Sequence, residues 1–110
     1  MEERLTIESF FKESPKVFNE QDRGLIERAF LFSQKAHEGQ KRASGDPYFI
    51  HAYSTGVTLM RWGLDAETVS AGLLHDVAED TPIGIEGIRK EFGNGISLLV
   101  DGVTKLGKIK

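Results

Sequence analysis

Cysteine is absent from the 110 residues, which excludes both a disulfide framework and a thiolate metal site. Positive charge is in short supply: the net charge is −3 and the pI about 5.6. Nothing basic enough to grip duplex nucleic acid or an anionic membrane is present. No apolar run approaches the roughly 20 residues that cross a bilayer. The opening MEERLTIESFF lacks the apolar core and small-residue cleavage site of a signal peptide, and the default location is the cytoplasm. Sustained apolar–polar alternation, the mark of a half-buried strand, is missing too.

What is there is helical spacing between glycine and proline punctuation. Residues 5–13 read as a short amphipathic helix that ends before Pro15. A second helix is predicted from Asp22 as N-cap, carrying Leu25, Ile26, Ala29, Phe30, Ser33, Ala36 and His37 on one face and stopping at Gly39. The polar stretch 40–46 reads as a loop. Asp46-Pro47 then looks like a cap followed by proline at the first helical position. That third helix runs to about Trp62, with Gly63 as its stop. Asp65 caps a fourth helix to about Glu79. A fifth ends at Phe92 before Gly93, and a sixth covers about 95–106. The expectation is an all-α fold of about six helices. Residues 1–20 read as an N-terminal extension with a short helix, and 21–110 as the N-terminal part of a helical domain. Trp62 and the seven phenylalanines read as core. Apolar spacing still running at Leu98, Leu99, Val103 and Leu106 suits a piece of a longer protein, with exposed apolar surface there that self-association would cover.

The stretch LLHDVAEDT, residues 73–81, breaks local rules. On a wheel with His75 at zero, Glu79 falls near 40°, Asp76 near 100° and Asp80 near 140°, so the four polar groups share one side. Three carboxylates then crowd the negative end of a helix dipole, and no lysine or arginine lies between 62 and 88. A solvated acidic face is one explanation. A bound divalent cation is the other, because it brings positive charge where both the helix end and the carboxylates need it. His51, 24 residues before His75, lies near the start of the preceding helix. An antiparallel pair turning at Gly63 brings it to His75 and Asp76. Two imidazoles and a carboxylate suit Mn²⁺, Fe²⁺ or Zn²⁺, with Glu79 or Asp80 one turn on to move a proton.

These residues carry a family resemblance. His51, His75-Asp76 and Glu79-Asp80 are similar to the HD-type phosphohydrolase pattern. With KAHEGQKRASGDPYFIH, AGLLHDVAEDT and EFGNGISLLVDGVTKL, about residues 20–107 resemble the hydrolase domain at the N-terminus of RelA/SpoT alarmone enzymes. The resemblance implies a helical domain that uses Mn²⁺ to remove the 3′-pyrophosphate of (p)ppGpp in the stringent response, giving GDP or GTP. It implies that His51, His75 and Asp76 are metal ligands and that Glu79 and Asp80 handle the attacking water and its proton. Arg42 and Ser44 match positions lining the guanine nucleotide pocket. It also implies synthetase and regulatory domains downstream in the parent, which would then carry GTP pyrophosphokinase activity.

Three departures stand out. The family's further aspartate ligand falls downstream of VTKL, beyond residue 110. Ala43 stands where the family often has a basic residue, and Ala52 replaces a proline. His37 reads as structural, and Asp101 as a helix-face or packing residue. Three alternatives stay open: a silent regulatory domain of an alarmone synthetase, a phosphohydrolase for another nucleotide, and a helical interaction domain.

Overall fold

The computed structural model describes residues 5–106, with helices α1 (Ile7–Phe11), α2 (Glu20–Ala36), α3 (Tyr48–Arg61), α4 (Ala66–Asp80) and α5 (Gly84–Leu106). The fold is all-α; the pairing of Lys41 with Pro47 is an isolated bridge. The predicted fifth and sixth helices are both present and meet at non-helical Gly93 (φ 91°, ψ 172°), within the span labelled α5. Residues 1–4 and 107–110 and the side chain of Leu106 lie outside the described residues. No described helix is long and apolar enough to cross a membrane.

α4 is the centre, with α2, α3 and α5 packed against it. Val69, Ala71, Leu73, Leu74 and Val77 are all fully buried, each large side chain worth about 1.5–3 kcal/mol when removed from water. Burial therefore holds α4 in place even where its charges oppose it. Phe10 of α1 is fully buried in the same core. Its ring centroid lies 5.4 Å from that of Tyr53 and 5.5 Å from that of Phe30. All seven phenylalanines lie in this core or against it.

Trp62 departs from the expectation: it is 70% exposed. It is the C-cap residue of α3, at a corner where the chain turns away, so its indole projects past the last packed turn. That corner is a Schellman motif. Leu64 N–H donates to Leu59 O and Gly63 N–H to Met60 O, with Gly63 at φ 74°, a conformation that glycine adopts without steric cost.

The start of α2 also differs. Asn19, not Asp22, is the N-cap, and its Oδ1 accepts the Asp22 N–H at 2.8 Å. The two residues stand three apart, so the true cap takes the backbone of the rival. α3 begins one residue late, with Pro47 as N-cap and no side-chain cap bond. Asp46 is occupied in the loop, accepting from Ser44 Oγ and, through its carbonyl, from Arg42 N–H. Leu98 is 71% and Leu99 38% exposed, the apolar surface expected on that stretch.

The α3–α4 pair approaches closely through Gly56 and Gly72. A Cβ on Gly56 would meet Phe10 Cζ at 2.7 Å and Leu73 Cδ2 at 2.9 Å, and one on Gly72 would meet Leu59 Cδ1. Gly56→Ala is expected to destabilise by about 1–3 kcal/mol through overpacking, which outweighs the roughly 1 kcal/mol gain in helix propensity; urea unfolding checks the sign.

Asp65 caps α4 as predicted, accepting the Thr68 N–H at 2.9 Å. Its hydrogen bonds with Thr68 hold its carboxyl below the usual carboxylate range. Asp65→Ala is expected to cost about 1 kcal/mol near neutral pH. Because the folded-state pKa is depressed, that stability is present above the unfolded-state pKa and is lost as pH falls through the folded one. Melting curves of wild type and variant should therefore converge in acid.

Candidate metal centre and adjoining cleft

His75 and Asp76 sit in the last turns of α4 and His51 in the first turn of α3. The Gly63 corner makes these helices neighbours, which brings the start of one to the end of the other. The rings of His51 and His75 are 5.8 Å apart. His51 Nε2 lies 3.1 Å from Asp76 Oδ2, and His75 Nε2 lies 3.2 Å from Asp76 Oδ1. One donor atom from each of the three lies within 4.8 Å of the others.

His75 Nδ1 is 2.7 Å from the carbonyl oxygen of Gly72. A carbonyl only accepts, so Nδ1 carries a hydrogen and Nε2 is the nitrogen that faces Asp76. Burial, first, together with the nearby positive charge of Arg42, holds the pKa of His51 below its ordinary value, against the opposing pull of Asp76. The His51 ring thus tends to offer a lone pair rather than a proton to the carboxylate.

Asp76 itself is 6% exposed, so a solvated acidic face does not describe it. Its Oδ2 is buried without a hydrogen bond, although His51 Nε2 is close. A buried acceptor in that condition costs about 1–3 kcal/mol, more when charged. Imidazole nitrogens and a carboxylate oxygen that converge without satisfying one another fit a divalent cation. Asp76, Glu79 and Asp80 form a second converging set, in which Glu79 and Asp80 are exposed. No basic residue lies in the last turn of α4.

Beside His51 opens a cleft of about 380 Å³, lined among others by Arg42, Ser44, Pro47, Ile50 and Ser54. The structure thus gathers Arg42 and Ser44 next to His51. Arg42 lies over the Tyr48 ring, 5.7 Å from its centroid. Ala43 lines the same cleft.

Tyr48 escaped the reading of the sequence. Its hydroxyl donates to Asp80 Oδ2 at 2.7 Å, and this bond, with burial, pushes its pKa up to about 12. The available signal was its place three residues before His51, on the same helix face. His37 is structural, as expected: it is 2% exposed and stacked on Tyr48 at 5.1 Å. Asp101 belongs to neither converging set and pairs with Lys105 at 2.9 Å, one turn along α5.

The HD-domain family profile matches residues 29–110. The chain belongs to the HD-domain family, in its RelA/SpoT branch. This HD domain is 52% identical over 85 residues to a GTP pyrophosphokinase of Streptomyces coelicolor, covering 77% of the chain and 10% of that protein. It is 47% identical over 85 residues to a guanosine-3′,5′-bis(diphosphate) 3′-pyrophosphohydrolase of Aquifex aeolicus, covering 77% of the chain and 12% of the relative. It is 45% identical over 85 residues, with the same coverage, to the bifunctional (p)ppGpp synthase/hydrolase SpoT of Escherichia coli. The chain spans about a tenth of the length of these curated relatives.

A cation at a hundred times its Kd is expected to stabilise the HD domain by about 2.7 kcal/mol. The corresponding rise in Tm is on the order of 10 °C. Asp76→Asn is expected to melt at the same temperature with cation or chelator; differential scanning calorimetry reads both.

Proposed function

We propose that this HD domain is a Mn²⁺-dependent hydrolase that removes the 3′-pyrophosphate of (p)ppGpp. The observation that carries the reading is the convergence of His51, His75 and Asp76 around a buried carboxylate oxygen with no hydrogen bond. The hydrolase names of two relatives supply the substrate class.

In this reading His51, His75 and Asp76 hold the ion. Bound there, a divalent ion supplies a Lewis acid for a phosphoryl oxygen and makes a water more acidic. The remaining work falls to the chain's own side chains. Arg42 offers a planar face to a base and a fork of donors to phosphate, and Ser44 a hydroxyl, in the cleft that borders His51. Glu79 and Asp80, on the last turn of α4, accept the proton of the attacking water and return one to the departing ribose oxygen. The new bond joins the water oxygen to phosphorus. The bond that breaks joins that phosphorus to the 3′-oxygen, leaving GDP or GTP and pyrophosphate. The parent polypeptide carries a (p)ppGpp synthetase as well, a proposal supported by the names of the Streptomyces and Escherichia relatives.

The test is to incubate the natural polypeptide containing these residues with ppGpp and Mn²⁺, with and without chelator, and to quantify pyrophosphate and GDP. Equimolar products that vanish with chelator are expected. Glu79→Gln should lower kcat about 10²- to 10⁴-fold. Faster turnover of deoxynucleoside triphosphates or cyclic nucleotides than of ppGpp would move the domain to another substrate. Absence of any metal-dependent turnover would sink the reading.

A further inference from the structure

We infer that Tyr48 is a positioning residue for this reaction: its hydroxyl holds the Asp80 carboxylate, and its ring carries the guanidinium of Arg42. This rests on the roles proposed above for Asp80 and Arg42.

Asp80 is the last residue of α4, exposed and followed by a turn. A carboxylate there has several rotamers, and nothing about a helix terminus selects one. Here Tyr48 selects it, and Gln40 holds the backbone from which it springs. Tyr48 Oη donates to Asp80 Oδ2 at 2.7 Å, and Gln40 Nε2 donates to the Asp80 carbonyl oxygen at 2.8 Å. Both grips share one foundation. The Gln40 carbonyl accepts the Tyr48 N–H at 2.9 Å. Gln40 Oε1 pairs with His37 Nδ1 at 2.8 Å. The Tyr48 ring stacks on the buried imidazole of His37 with planes 17° apart. Tyr48 is thus fixed by α2, by the 40–47 loop and by its place at the head of α3.

The same ring reaches the cleft. The Arg42 guanidinium sits 5.7 Å from its centroid, within range of attraction to the ring face. The two contacts divide by atom. The hydroxyl bears on the group proposed to move the proton, and so on kcat. The ring bears on the group proposed to meet the nucleotide, and so on KM. A residue that only anchored the loop would show no such division.

The experiment uses the natural polypeptide, ppGpp and Mn²⁺. Tyr48→Phe deletes the hydroxyl and keeps the ring. It should lower kcat about 10- to 100-fold, the scale of a small misplacement of a catalytic group, with KM within about 2-fold of wild type. Tyr48→Leu should lower kcat equally and also raise KM about 10-fold, about 1.4 kcal/mol by that ratio. In an Asp80→Asn background, Tyr48→Phe should cause no further fall in the residual rate, because the hydroxyl acts only through that carboxylate. Mn²⁺ affinity by calorimetry and Tm should match wild type in Tyr48→Phe, which separates positioning from misfolding or ligand disturbance. Wild-type kcat in Tyr48→Phe, or a loss that persists in the Asp80→Asn background, overturns this inference and leaves the hydrolase reading intact. A wild-type protein without turnover overturns the hydrolase reading first, and the role of Tyr48 with it.

Discussion

Asp76 is a carboxylate almost shut off from water, at the negative end of a helix, with imidazoles rather than ammonium or guanidinium groups beside it. Each of these conditions alone raises the free energy of a carboxylate. Their coincidence is sustained by the apolar side chains of α4, whose burial on three flanks exceeds what one ill-placed charge can undo. The rest of the site depends on this constraint. The carboxylate stays in place because the helix has nowhere else to go. What it lacks beside it is an ammonium or guanidinium partner, and the ring nitrogens of His51 and His75 face its two oxygens instead.

The site is built at an intersection of local and long-range order. α4 delivers His75, Asp76, Glu79 and Asp80 by helical period alone. His51 is delivered by the reversal at Gly63, and Arg42 and Ser44 by the 40–46 loop, which the Lys41–Pro47 bridge folds back on itself. Thr81 then ends α4 cleanly, its hydroxyl donating to the Val77 carbonyl at 2.8 Å, before Pro82 turns the chain away. The histidine–carboxylate cluster is thereby placed at the C-terminal end of α4, and buried apolar side chains occupy the earlier turns of that helix.

Much of this was legible in the sequence because it is written in local chemistry. Helical period placed the four polar residues of α4 on one side. Asp65 and Gly63 announced their caps, and the spacing of His51 from His75 required only an antiparallel turn. The misreadings have a common physical source. Asn19 and Asp22 are both good caps three residues apart, and propensity does not choose between them. Trp62 has the size and apolarity of a core residue, but its place at a cap decides its exposure. The bond between Tyr48 and Asp80 spans 32 positions and depends on the packing of His37, Gln40 and the loop together, which no spacing rule contains.

The glycine contacts between α3 and α4 bear on the spacing of the two imidazoles. His51 and Gly56 share one helix, and Gly72 and His75 the other. Leu73 of α4 packs where Gly56 has no Cβ, and Leu59 of α3 packs where Gly72 has none. The separation of the two rings is thus tied to interlocking side chains seated on two glycines. A single methyl group added at either glycine would reach the imidazoles through the helices without touching either ring.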